Sequence, residues 1–500
     1  MRPALALTAA LLLAAPAPAQ EAPPAKAAPK PEADKPSTTV HEIKVAGKPL
    51  RYTATAGTLP IAGDNGEPEA KVFYVAYTAE GAGDRATRPL MFSFNGGPGS
   101  SSVWLHLGAI GPRRVVMPDD ATFAAPPFRL VDNESTWLDK CDLVFIDPVG
   151  TGYSRAAKPE LNKKFHGLAG DVASVGEFIR LYMVRANRWQ SPIYLVGESY
   201  GTTRAAGLAN ALVNQGIACN GVLLISSVLN FQTVEFSRGN DTPYPLFLPT
   251  YTAIAWYHKK LPPELQGDLK KTLDEVKAWA TDAYPSALAK GDRLTPSERQ
   301  EVVDRLARYT GLDRTFIDRS NLRVEIQRFA KELLRDRQRV VGRLDGRFQG
   351  IDANPGGERP EADPSMSAIR PPYTSTFNDY IQRELEYKSD LPYYILGEGV
   401  GAWDWGLTGR TGYPDVSAAL RDAFAKNPTL KVFVGSGYYD LATPFAATEY
   451  TMAHMNLEPS MRRNFTVAEY ESGHMMYIHG PSLAKLKADV AAFVDASSGR

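Results

Sequence analysis

Only two cysteines occur in 500 residues, too few for a disulfide scaffold. The seven histidines fall into no cluster with metal-ligand spacing, so no metal or other cofactor is expected. Charge of one sign is missing as well: Lys plus Arg and Asp plus Glu both total 56. That balance argues against nucleic acid or an anionic membrane surface as a partner. Long apolar runs are absent past the leader. Met1-Arg2-Pro3, apolar Ala4 to Ala15 and the small residues Ala17-Pro18-Ala19 read as a secretory signal, residues 1–19, with an apolar core too short to span a bilayer. Residues 20–36, rich in Ala, Pro and Lys, have little to bury and read as a disordered tether. The expected product is an exported protein, periplasmic or secreted, with no membrane contact once the signal is removed. At 44% hydrophobic content the remainder can bury a large core.

What the chain does contain is a run of ordered chemistry. The apolar segment Pro192-Ile193-Tyr194-Leu195-Val196 leads into Gly197-Glu198-Ser199-Tyr200-Gly201 and then into helix-prone Thr202 to Ala209. Strand, sharp glycine-flanked turn and helix are the context of a nucleophile elbow, with Ser199 at its apex. Such a serine needs an acid and a histidine later in the chain, each just after a strand. Lys431 to Gly437 is β-rich and ends at Asp440; Asn464 to Tyr470 is a second strand, ending in Gly473-His474. Asp440 would accept the imidazole N–H of His474, whose other nitrogen takes the Ser199 proton. Asp147 and Asp404 compete as acids after strands, and His479 competes as the histidine, but only Asp440 precedes a strand-Gly-His unit. His479, before Gly480-Pro481, begins the final turn instead. The oxyanion donors are expected at the Tyr200 amide and, from the glycine-rich loop Asn95-Gly96-Gly97-Pro98-Gly99 after the strand Pro89 to Phe94, at the Gly97 amide.

Strands alternate with helices over Val40 to Leu229 and again from Leu430 to the amphipathic run Leu483 to Val494. The expected fold is α/β: an α/β-hydrolase with a mostly parallel sheet, helices on both faces and a core at 37–234 and 396–500. Residues 235–395 are charged and helical and read as a cap over the catalytic end. Within it, Thr295-Pro296-Ser297-Glu298 predicts a capping box with Pro at the first helical position. Leu322, Ile326, Phe329, Ala330 and Leu333 predict one buried helical face, and Pro/Gly-rich Asp352 to Ser367 a mobile loop. Trp403 and Trp405 either line the pocket or anchor the cap. Cys141 and Cys219 each start a strand; in this fold those strands lie three positions apart, roughly 14 Å at about 4.8 Å per strand, beyond disulfide reach.

Together the Asn-Gly-Gly-Pro-Gly loop, the Gly-Glu-Ser-Tyr-Gly elbow, the late Asp440 and the late Gly473-His474-Met475 resemble the serine carboxypeptidase family, as a bacterial exported member of it. A fourth landmark also fits: Trp137 followed by Leu143 to Ile146 and Asp147-Pro148-Val149-Gly150-Thr151-Gly152-Tyr153-Ser154. The resemblance covers roughly residues 40 to 495 and implies that the substrate is a peptide with a free C-terminus. It implies that Asn95 and Glu198 hold the peptide's terminal carboxylate, that Gly96 belongs to the same substrate-binding loop, and that Met475 borders the leaving-group site. Three positions depart from the family's pattern: Ser93 stands in place of Trp, Ser100 in place of Cys, and Ala109 in place of a second glutamate. Two close carboxyls share a proton that can donate to a substrate carboxylate, and Ala109 removes that partner. His106, on the same face as Ala109 if the segment is helical, is either a compensating cation or a satisfied structural histidine.

These features point to a serine-type carboxypeptidase working through an acyl-enzyme. The alternatives are an esterase or acyltransferase using the same triad, which the loss of a carboxyl at 109 favours, and a non-catalytic exported binding protein, against which the intact triad argues.

Overall fold

The computed structural model describes residues 35–63, 65–84, 87–407 and 412–498; residues 1–34, which carry the expected signal and most of the tether, lie outside them. Nine strands cross the main sheet: Ser37–Val45 (β1), Lys48–Ala62 (β2), Pro68–Ala79 (β3), Leu90–Phe94 (β4), Asp142–Ile146 (β5), Ile193–Ser199 (β6), Gly221–Ser227 (β7), Lys431–Gly437 (β8) and Phe465–Tyr470 (β9). Their order is β1-β2-β3-β5-β4-β6-β7-β8-β9, with the short strand Arg155–Ala156 pairing off β3. The first three strands form an antiparallel meander that joins β5 antiparallel. From β5 to β9 every pairing is parallel.

Strands buried on both faces need apolar residues at successive positions, and the sequence supplies them. Leu143, Phe145, Val196, Leu223, Ile225 and Phe433 point to one face. Val144, Ile146, Leu195, Val222, Leu224 and Val434 point to the other. The first face is covered by the helices Gly480–Ser497 and Pro364–Arg383, through Leu486, Val490, Phe493, Tyr373 and Phe377. The second is covered by Leu168–Ala186, Tyr200–Asn214 and Ser417–Lys426, through Phe178, Ile179, Leu208, Leu212 and Phe424. Cys141 and Cys219 precede β5 and β7, three positions apart in this order, and both are buried free thiols. Burial pushes each up to about 12, which keeps them unreactive.

Between β7 and β8 the chain leaves the sheet. Helices Pro243–Tyr257, Leu269–Thr281, Pro296–Thr310 and Ile326–Glu332 pack around a core of their own, which includes Phe247, Tyr251, Val276, Leu306 and Phe329. The capping box forms: Thr295 Oγ1 accepts the Glu298 N–H, and Glu298 Oε2 accepts the Thr295 N–H at 2.8 Å. Two expectations here are corrected. Leu322 is buried in this core, but it sits at φ +63° in the turn after Arg314–Arg319, so the helical face begins only at Ile326. The stretch expected as a loop over 352–367 has no regular structure from Asp352 to Asp363, but it is anchored at both ends and becomes helical at Pro364. Asp352 is buried and ion-paired with buried Lys331 at 2.5 Å, and Asp363 caps the helix that starts at Pro364 by accepting the Ser365 N–H. That helix, Pro364–Arg383, then packs into the sheet's core rather than that of the inserted helices.

Candidate active site

Ser199 ends β6 and directly precedes the helix Tyr200–Asn214, at φ 60° and ψ −131°. A non-glycine residue held there stores about 1–3 kcal/mol of backbone strain. The flanking glycines are required by close approach. A Cβ on Gly197 would lie 2.0 Å from the Gly201 carbonyl, and one on Gly201 would lie 2.8 Å from the Phe94 carbonyl. A Cβ on Gly96 would lie 2.5 Å from the Tyr200 amide nitrogen. The loop after β4 therefore packs its bare backbone against the elbow. Asn95, Gly96, Gly97, Glu198, Ser199, His474 and Met475 line one cavity of about 170 Å³.

His474 reaches this cavity from the loop after β9, and Asp440 lies behind it in the loop after β8. His474 Nδ1 lies 2.7 Å from Asp440 Oδ2. The carboxylate is fully buried and further held by the Ala442 and Thr443 amides on Oδ1 and the Thr443 hydroxyl on Oδ2. Burial disfavours the imidazolium, but the Asp440 charge and hydrogen bond, with help from Glu198, outweigh it and leave His474 above its ordinary pKa. The pair is arranged to stabilise a proton on His474.

Glu198 has the opposite disposition. Burial raises its pKa to about 7, against the His474 charge, the Tyr477 hydroxyl and the Asn95 amide, which all favour the ionised form. Asn95 Nδ2 donates to Oε1 at 2.9 Å; Oε2 is closed off from solvent with no conventional hydrogen-bond partner. Asn95 is itself fixed, its Oδ1 accepting the Leu105 N–H and its carbonyl accepting from Arg204 Nη1. A neutral carboxyl beside a fixed amide, next to a serine, is equipped to donate to an anionic group.

Two supports are not legible as motifs. Arg204 and Asp171 form a buried ion pair at 2.8 Å; Arg204 holds the Asn95 carbonyl, while Asp171 accepts the Tyr200 hydroxyl. Arg204 lies one turn after the elbow, the only hint the sequence offers. The second is the inserted segment 343–347, which bonds to both late loops. Leu344 O accepts the His474 N–H at 2.6 Å and Arg343 O accepts the Leu441 N–H. Asp345 Oδ2 accepts the Gly473 N–H and the Arg347 guanidinium, which also reaches Ser472 Oγ.

The model of the serine carboxypeptidase family matches residues 48–483 of this chain. The chain belongs to the serine carboxypeptidase family. Among its relatives, a pheromone-processing carboxypeptidase KEX1 of Puccinia graminis is 33% identical over 156 residues, 30% of this chain and 22% of that protein. Serine carboxypeptidase-like 51 of Arabidopsis thaliana is 31% identical over 185 residues, 34% of this chain and 37% of that protein. The chain thus aligns with well under half the length of these fungal and plant relatives. The crystal structure of KEX1(delta)p, a prohormone-processing carboxypeptidase from Saccharomyces cerevisiae, superposes with a TM-score of 0.52 at 18% identity, covering 89% of this chain and 91% of that one. That likeness supports the α/β-hydrolase fold.

The carboxypeptidase family's departures in this chain have local structural answers. Ala109 lies in a π-helical turn, His106–Ile110, closed by the Gly111 N–H on the His106 carbonyl. With more residues per turn than an α-helix, that turn does not place positions three apart on one face, contrary to the helical expectation. His106 is wholly buried, stacked on Phe145 and 2.6 Å from the Tyr77 hydroxyl, and burial lowers its pKa to about 3. It is neutral and structural. Ser100 Oγ accepts the Trp104 indole N–H, whereas buried Ser93 Oγ has no partner. The competing acids are occupied elsewhere: Asp147 Oδ1 accepts the Ser102 amide and hydroxyl, and Asp404 closes a turn at Gly406. His479 Nδ1 pairs with Ser482 Oγ at the start of the final helix. Trp403 and Trp405 pack edge-on to the Tyr200 ring, outside the lining of the Ser199 cavity.

Proposed function

We propose that this chain is a serine-type carboxypeptidase that releases C-terminal residues from peptides through an acyl-enzyme. Ser199 attacks the last peptide carbonyl, and His474 takes its proton and delivers it to the leaving amine. Asp440 fixes the His474 tautomer and stabilises the imidazolium. The Gly97 and Tyr200 amides hold the oxyanion. Water then enters the vacated leaving-group side, bordered by Met475, and His474 activates it to release the acyl group. Gly96 shapes the loop, and Asn95 with Glu198 holds the terminal carboxylate. The reading extends to export in a bacterium, into the periplasm or the medium, on the strength of the apolar leader over 1–19. Among the described residues no helix is long and apolar enough to cross a membrane.

The observation that carries this reading over an esterase is Glu198, buried beside Asn95 in the Ser199 cavity and protonated up to a pH of about 7. A protonated Glu198 donates to a carboxylate; once ionised it repels one. The free-acid to amide ratio of kcat/KM for one peptide should therefore be highest below pH 7 and fall as pH rises through it. Ala109→Glu should raise that ratio under mildly acidic conditions by restoring a shared proton. A ratio that does not vary with pH and ignores Ala109→Glu, together with brisk ester hydrolysis, would move the assignment to an esterase.

A further inference from the structure

The Ser199 cavity is mostly apolar, walled by Trp104, Leu344, Met366, Ile369, Leu396 and Met475. Besides Glu198 and His474, one charged side chain lines it, Arg343, contributed by the insertion. Its backbone is clamped on both sides: the Arg343 N–H donates to Asp363 Oδ1 at 3.0 Å, and its carbonyl accepts the Leu441 N–H at 3.0 Å. Arg343 is exposed, and among the described residues its side chain makes no ion pair or hydrogen bond within the protein. This contrasts with its neighbour Arg347, which is buried and fully engaged by Asp345 and Ser472. The fold fixes the Arg343 main chain and places the residue on the wall of the cavity that holds Ser199.

We infer that Arg343 is a specificity residue that pairs with a carboxylate on the leaving residue of the peptide, either its terminal carboxylate or an Asp or Glu side chain. The inference rests on the carboxypeptidase reading and names the substrate class within it. No fixed carboxylate lines the cavity to favour a basic residue, because Glu198 is engaged by Asn95 and neutral at mildly acidic pH. Above neutrality, where Glu198 ionises and repels the terminal carboxylate, Arg343 offsets part of that repulsion, so the free-acid preference still falls with pH but less steeply than in Arg343→Gln. A second consequence concerns His474, which is faced by Asp440 and Glu198 on the stabilising side and by Arg343 on the opposing side, with the Thr443 hydroxyl 3.3 Å from Nδ1. A substrate carboxylate seated against Arg343 cancels its opposing charge and so favours the imidazolium that forms during attack.

The test uses N-blocked Phe-Glu, Phe-Gln and Phe-Lys dipeptides as free acids and amides, with wild type, Arg343→Gln and Arg343→Glu. Because the structural contacts of Arg343 run through its backbone, both variants keep them, and labelling of Ser199 by a fluorophosphonate verifies an intact elbow. Arg343→Gln should lower kcat/KM roughly three- to tenfold for the carboxylate-bearing member of each pair and move the acidic limb of the pH profile upward. A loss in the acid-amide comparison identifies the terminal carboxylate as partner, and a loss in the Glu-Gln comparison identifies the side chain. Arg343→Glu should invert the order in favour of Phe-Lys. Unchanged ratios in both variants, with Ser199 labelling and peptide release intact, would overturn the inference. Absence of release from every peptide by wild type would instead overturn the carboxypeptidase reading beneath it.

Discussion

Above a pH of about 7 the folded chain must ionise Glu198 although its side chain is buried. A carboxyl whose folded pKa stands above its unfolded value of 4.5 weakens the fold as pH rises from the unfolded value to the folded one. For a rise to about 7 that loss amounts to roughly 3 kcal/mol, complete once pH exceeds both values. Glu198→Gln should accordingly stabilise the protein against denaturant at pH 8 by up to about that amount and change little at pH 4. It should also abolish the pH dependence of the free-acid preference. Equal stabilisation at both pH values would show that Glu198 is not held neutral. At the triad, Ser199→Ala, His474→Ala and Asp440→Asn should each remove most turnover, and a double variant should be little worse than the worse single one, because the three act as a unit. Near-native turnover of Asp440→Asn would mean that another acid serves His474. That Ser199, Asp440 and His474 each lie at or just past a strand end was readable from the sequence, because each follows a β-rich run in a fixed order. Arg204, Asp171 and Arg343 were not, since a buried ion pair or a lone cation at a cavity leaves no spacing pattern.

Segment 343–347 ties the insertion to the triad loops more closely than a cap that only shapes access. Its Asp345 carboxylate holds the Gly473 N–H and the Arg347 guanidinium in a buried cluster. Asp345→Ala should lower kcat roughly 10- to 100-fold by taking the acceptor from the Gly473 N–H and letting His474 drift, with KM changed far less. It should also cost about 3 kcal/mol of stability, because Arg347 is left buried without its counter-charge. Replacing both charges, Asp345→Leu with Arg347→Met, should recover stability but not kcat, since the Gly473 N–H still lacks its acceptor. Recovery of both would reduce the cluster to a packing role. The helices of this insertion were predictable from caps and apolar spacing, as the Thr295 box shows. Its contacts were not, because the turn at 342–348 is held by long-range bonds to the loops after β8 and β9 as well as by its own local ones. The same limit explains the loop expected at 352–367: Pro and Gly content suggested mobility, whereas Lys331, distant in sequence, anchors Asp352.

At the scale of the molecule, one mostly parallel sheet gathers the Ser199, Asp440 and His474 loops at one end; the alternation of strands and helices foretold its parallel part, whereas the antiparallel meander β1 to β3, with no helix between its strands, departs from the alternation expected from Val40. The strand order keeps Cys141 and Cys219 three strands apart, so both should stay free even in an oxidising compartment. Intact mass after alkylation under denaturing conditions should show two modified thiols without prior reduction; a two-proton deficit reversed by reductant would contradict the strand order. The gathering of three loops around a buried, protonatable Glu198 is what makes the molecule a carboxypeptidase in this reading. Mass spectrometry of a mixed peptide pool, incubated with wild type and with Ser199→Ala, tests this most directly. The expected result is a ladder of fragments shortened one residue at a time from the C-terminus with wild type and none with Ser199→Ala. Internal cuts, or an unchanged pool alongside rapid ester hydrolysis, would contradict it.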